Sequence, residues 1–125
     1  MIIYQYRIYH QDLLNNPQLL YIFGDNEARI GMGGQAGQMR GEPNAFGIPT
    51  KKSPSICWHD ADFEQNKLTI DLALTTLKTY IDSGRTIVFP SDGIGTGLAR
   101  LYETAPLTFD YLTAKLLELG IKNGN

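Results

Sequence analysis

Two stretches of this 125-residue chain mix glycine with charged and polar residues in a way that suits anion binding. Residues 24–44 read GDNEARIGMGGQAGQMRGEPN, and residues 89–101 read FPSDGIGTGLARL. Glycine lets a backbone come close to a phosphate and turn its N–H groups toward it. In the first stretch Gly24, Gly33, Gly34, Gln35 and Ala36 are the candidate backbone contacts, with Arg29 and Arg40 as charged partners. Asp25 and Asn26 could hold a ribose or a base edge, or could simply close a turn. In the second stretch Ser91, Gly93, Ile94, Gly95, Thr96, Gly97 and Leu98 form the corresponding cradle. The alternate glycines 93, 95 and 97 are not the G-x-G-x-x-G dinucleotide fingerprint, and no Walker lysine follows them. Each loop alone is a weak signal; two of them, each closing a short apolar run, point to a phosphate or pyrophosphate site.

The residues able to do chemistry near these loops are few. Lys51 is a candidate nucleophile, phosphate ligand or solvated surface lysine; a nucleophilic lysine needs a depressed pKa. Asp92 and Glu42 are candidate acid–base carboxylates for cleavage through an oxocarbenium-like centre. Cys57 and His59 invite a thiol-hydrolase reading, but near-adjacent residues rarely aim both side chains at one point and no orienting partner is evident. Trp58 suits a lid that stacks on a base, or plain packing. His10 is expected on the surface. No spacing suggests a metal-ligand cluster, and no cofactor is called for.

These residues need a scaffold. Residues 2–9 are rich in β-branched and aromatic types and predict a strand. Residues 11–16 predict a short helix stopped by Pro17. Apolar runs at 19–23, 45–49 and 86–89 predict further strands, and residues 51–62 an exposed loop. Ile70, Ala73, Leu74, Leu77 and Ile81 recur at spacings of three and four, which predicts a helix over 63–83, with Asp60 or Asp62 capping its start and Gly84 after its end. Leu112, Leu116 and Leu119 predict a closing helix over 102–119, with Pro106 in its first turn. Apolar strands alternating with helices imply an α/β fold with a mostly parallel sheet, in which ligands bind beyond the carboxyl ends of the strands. Both glycine loops leave strands at that edge.

Length, with 42% hydrophobic and 19% charged residues, predicts one globular domain over residues 1–125. A net charge of −2 argues against general duplex DNA binding, and no run is long and apolar enough to suggest a membrane partner. With one cysteine and no signal peptide pattern, the expected setting is cytoplasmic.

The stretch Gly95-Thr96-Gly97-Leu98-Ala99-Arg100-Leu101 resembles the phosphate loop of macrodomains, and most of all the branch containing the terminal ADP-ribose protein glycohydrolase. Residues 46–52, FGIPTKK, resemble that branch's threonine–lysine motif at Thr50 and Lys51. Residues 31–36 are similar to the macrodomain loop that wraps the distal ribose. The resemblance spans roughly residues 19–119. It implies a three-layer α/β/α macrodomain-like fold, with ADP-ribose or a related nucleotide as ligand and an ADP-ribosylated macromolecule as a further partner. In the hydrolytic branch the lysine attacks the anomeric carbon and a second-loop aspartate assists. Lys51 matches the lysine, whereas Ala99 stands at the aspartate position and Asp92 lies seven residues earlier. Two expectations therefore stand side by side: a module that binds ADP-ribose or a relative, favoured by Ala99, and an ADP-ribosyl hydrolase. A Rossmann-like nucleotide processor is a third class.

Overall fold

In the computed structural model, which describes residues 1–124, the chain runs β1 (Ile2–Gln5), α1 (His10–Asn15), β2 (Leu20–Asn26), α2 (Ala36–Met39), β3 (Ala45–Ser53), β4 (Ile56–Cys57), a 3-10 turn (Asp60–Asp62), α3 (Phe63–Asp82), β5 (Ile87–Pro90), α4 (Leu101–Thr104) and α5 (Pro106–Glu118). The sheet order is β1-β5-β2-β3-β4. Its first four strands are parallel, and only the two-residue β4 runs antiparallel, against β3.

The central strands β2 and β5 are apolar at successive positions because both faces of the sheet are covered. Leu20, Ile22, Ile87 and Phe89 point to one face and join a core that includes Ile70, Leu74 and Leu77 of α3 and Leu112 and Leu116 of α5. Tyr21, Phe23 and Val88 point to the other and pack with Leu13 of α1 and Met39 of α2. The two-residue period of the strands thus splits the core into two clusters, one per face. The result is an α/β fold with a five-stranded, mostly parallel sheet, compatible with three layers.

Several expectations need correction. The first strand ends at Gln5, not Tyr9, because the following segment leaves the sheet to bury Ile8 against α1 and α2. Residues 51–53 continue β3 and turn back through β4; polar side chains hid a strand end that projects past the sheet and needs no apolar alternation. Asp62 makes no side-chain cap on α3. Asp60 caps α5 instead, accepting from Leu107 N at 2.9 Å, Thr108 N at 3.1 Å and Thr108 Oγ1 at 2.8 Å. The closing helix is broken at Ala105 (φ −148°, ψ 69°) into α4 and α5. Pro106 disfavours α geometry in the residue before it, so it starts a helix rather than sitting inside one. Among the described residues, no helix is long and apolar enough to cross a membrane.

Candidate functional site

β2 and β5 are hydrogen-bonded neighbours, so the loops leaving their carboxyl ends meet at one edge of the sheet. Between them lies a cavity of about 820 Å³, within the range of small-molecule sites. Its floor is built where β2 ends. Gly24 lies against the Ile94 side chain and Thr50 Oγ1, and that hydroxyl donates to the Asp25 carbonyl at 3.3 Å. The two loops touch across the cavity. A methyl group added at Gly33 or Gly34 would stand 3.1 or 3.3 Å from Leu98 Cδ1.

Both loops are wound tightly. Gly34 (φ 59°) and Gly95 (φ 78°) occupy the left-handed region, and so do two non-glycine residues at the loop borders, Arg29 (φ 58°) and Arg100 (φ 47°). At the two arginines such conformations cost free energy and persist where surrounding structure imposes them. The winding has a consequence for hydrogen bonding. Among the described residues, the backbone N–H groups of Gly31, Met32, Gly33, Gly34, Gln35 and Ala36 donate to no backbone carbonyl, and neither do those of Gly95, Thr96, Gly97, Leu98 and Ala99. All of these residues line the cavity. Runs of successive free amides are the concave anion sites of protein backbones.

Of the residues singled out from sequence, Gly24, Asp25, Asn26, Gly33, Gly34, Gln35, Ala36, Arg40, Thr50, Lys51, Asp92, Gly93, Ile94, Gly95, Thr96, Gly97 and Leu98 line this cavity. Arg29 and Ser91 do not. The Arg29 guanidinium is held below the loop by Asp25 Oδ2 (3.2 Å) and the Gly47 carbonyl (2.9 Å), and the Ser91 N–H joins the Gln5 carbonyl at the sheet edge. Glu42 is paired with His10 at 2.6 Å and lies outside the lining. Trp58 is 1% exposed and donates to Glu27 at 2.8 Å, so it packs and is not a lid.

Side chains expected to meet a ligand are in several cases engaged inside the protein. The buried Asp25 carboxylate takes the guanidinium of Arg40 as well as that of Arg29. Two guanidinium groups against one carboxylate leave a positive excess beside the first loop. Asn26 pairs with both backbone groups of Ile30, donating to its carbonyl at 2.8 Å and accepting from its N–H at 3.4 Å. Gln35 does the same to Ile8, at 2.9 Å each way. Lys51 Nζ donates to the Pro54 carbonyl at 2.9 Å.

The rim holds residues that sequence reasoning missed. Tyr6, Ile30 and Met32 line the cavity while being 64%, 57% and 86% exposed. Two exposed apolar residues among glycines, Ile30 and Met32, were the available signal, whereas Tyr6 was hidden inside a supposed strand. Gly31, Pro54, Pro90 and Ala99 also line the cavity without having been named as contacts. Among the described residues no group of three or more His, Cys, Asp or Glu is placed to hold a metal ion.

Compared with known families, residues 3–115 match the model of the family of unknown function DUF7831. The chain belongs to this family. The DUF7831 match takes in both glycine loops, the β3 end with Thr50 and Lys51, and most of α5. Neither a curated protein nor a solved structure matches the chain.

Proposed function

We propose that this DUF7831 chain binds ADP-ribose, or a related nucleotide carrying a phosphate or pyrophosphate, in the cavity between its two glycine loops. One observation carries the reading: two runs of consecutive backbone amides without carbonyl partners, residues 31–36 in one loop and 95–99 in the other, around a single cavity. Their natural complement is a group that accepts many hydrogen bonds from several directions, as the oxygens of a pyrophosphate do. The positive excess at Asp25, Arg29 and Arg40, together with Lys51 on the wall, favours an anion. The resemblance of residues 95–101 and 46–52 to macrodomains supports ADP-ribose in particular and a macrodomain-like version of the fold. One free cysteine, Cys57, fits a cytoplasmic setting.

Isothermal calorimetry tests this directly. ADP-ribose should bind and adenosine should bind far more weakly, because adenosine leaves the loop amides without partners at roughly 1–3 kcal/mol each where they are buried. Equal affinities would sink the phosphate reading.

A second reading, hydrolysis of an ADP-ribosyl bond on a macromolecule or signalling nucleotide, draws on Lys51 and Asp92 lining the same cavity. The Lys51 amine would displace the leaving group at the anomeric carbon and water would then release the ribose, with Asp92 moving the protons. Ala99, at the aspartate position of the resembling branch, favours binding over this reading. Incubation with an ADP-ribosylated protein, followed by mass spectrometry of the product, separates the two.

A further inference from the structure

The second glycine loop is held by a residue that follows the last helix. Beyond α5 the chain is fixed in three steps. Ile121 is fully buried, with its N–H on the Leu116 carbonyl at 3.0 Å. The Lys122 N–H donates to the Tyr4 hydroxyl at 2.9 Å, which ties the segment to edge strand β1. The Asn123 side chain then pairs with both backbone groups of Ile94: Oδ1 accepts from its N–H at 2.7 Å, and Nδ2 donates to its carbonyl at 3.2 Å and to Thr113 Oγ1 at 3.3 Å.

Ile94 is a critical point in the loop. Glycines flank it on both sides, Gly93 (φ 83°) and Gly95 (φ 78°), so local stiffness does little to fix its backbone. It lies immediately before the unpaired amides 95–99, and its side chain rests on Gly24 near the end of β2. A primary amide presents one donor and one acceptor in a plane, so it holds a peptide as a neighbouring strand would. The approach is close: a methyl group at Gly93 would stand 2.7 Å from Asn123 Oδ1 and 3.0 Å from its backbone carbon. Asn26–Ile30 and Gln35–Ile8 repeat the device on the first loop, but Asn123 reaches Ile94 from outside the residues that match the family.

We propose that Asn123 is a positioning residue of the nucleotide cavity, fixing Ile94 so that the amides of residues 95–99 are set for the ligand before it arrives. The inference rests on the nucleotide-binding reading given above. It is tested in the full chain with Asn123→Ala and Asn123→Asp, the latter keeping the acceptor and losing the donor. Amide hydrogen exchange at Ile94 is measured without ligand, and ADP-ribose affinity by calorimetry. Asn123→Ala should speed exchange at Ile94 about tenfold while leaving Ile22 in β2 unchanged, and should weaken ADP-ribose about tenfold, as expected when a pair of neutral hydrogen bonds is lost. Asn123→Asp should fall between Asn123→Ala and the unaltered chain in both measurements. Unchanged exchange at Ile94 would overturn the proposal, and so would faster exchange with unchanged ADP-ribose affinity. If the unaltered chain does not bind ADP-ribose, the cavity reading fails. The exchange result then decides by itself whether Asn123 holds the loop.

Discussion

Arg40 closes on Asp25 through two of its nitrogens, Nη2 at 2.5 Å and Nε at 3.1 Å from Oδ1, with the carboxylate side chain only 1% exposed. The remaining nitrogen, Nη1, donates to the Gly31 carbonyl. One side chain at the end of α2 thereby ties the end of β2 to the middle of the first loop. Arg29 makes a second contact to the same carboxylate from a half-exposed position. A buried charge is costly unless it is paired and hydrogen-bonded, and here the pairing also sets the path of the loop.

Arg40→Ala should therefore destabilise the protein by about 3 kcal/mol, the low end for breaking a buried pair, since Arg29 remains. Arg29→Ala should cost under about 1 kcal/mol, because its half of the contact is exposed. Urea unfolding of the two variants checks the order. Equal losses would mean that Asp25 depends on Arg40 no more than on Arg29.

Gly97 and Gly95 differ in what an added side chain would meet. A methyl group at Gly97 meets nothing within 4 Å, whereas one at Gly95 meets Leu101 Cβ and Cδ2 at 3.2 Å, in a fully buried side chain. Gly97→Val should leave stability within about 0.5 kcal/mol of the unaltered chain. It should nevertheless weaken ADP-ribose, by filling space the phosphates need. Gly95→Val should lose both binding and stability, through crowding and through a positive φ that disfavours a branched residue. Tight ADP-ribose binding by a folded Gly97→Val would remove that part of the loop from the site.

Asp60 offers a pH-dependent test. Burial alone would raise its pKa, but hydrogen bonds from Leu107 N, Thr108 Oγ1 and Thr108 N outweigh this and hold it below the ordinary value of 3.8. A carboxylate with a lowered folded-state pKa adds stability that is complete above its unfolded pKa and disappears as pH falls through the folded value. Asp60→Ala should therefore cost about 1 kcal/mol at neutral pH, as loss of a helix cap does. The gap to the unaltered chain should close below about pH 4. A gap independent of pH would mean that the carboxylate charge plays no part in capping α5.

Much of the fold is legible in the sequence because it is repeated locally. The α3 stripe and the apolar runs of β2 and β5 carry their own periodicity, and the glycine-rich stretches after those runs mark both loops. What is not legible depends on distant partners. Nothing around Asp60 says that it caps a helix 47 residues later, and nothing around Asp25 names Arg40, 15 residues on. Gln35 illustrates the limit for the site. Its position in the first loop is plain from the sequence, but its side chain is engaged by Ile8, a residue that the strand-like pattern of residues 2–9 placed in the sheet. Asn123 lay outside the pattern altogether, since its role exists only through contact with Ile94.

Lys51 decides between the two readings of the cavity. It lines the wall near the end of β3, and its ammonium group is engaged by the Pro54 carbonyl at 2.9 Å. If the protein is a binding module, Lys51→Ala should weaken ADP-ribose by roughly 1–3 kcal/mol, as for a charged hydrogen bond to phosphate or ribose, and no turnover exists to be lost. If it is a lysine-dependent hydrolase, the same substitution should abolish turnover and retain much of the binding, because the loop amides remain. Ala99 lines the cavity wall where the resembling branch carries an acid, and on that resemblance the first outcome is favoured. A ribose adduct on Lys51 trapped by reduction and seen by mass spectrometry would reverse that preference. Unchanged affinity and unchanged activity in Lys51→Ala would remove the residue from the site under both readings, leaving it as a strand-end lysine that ties β3 to the turn at Pro54.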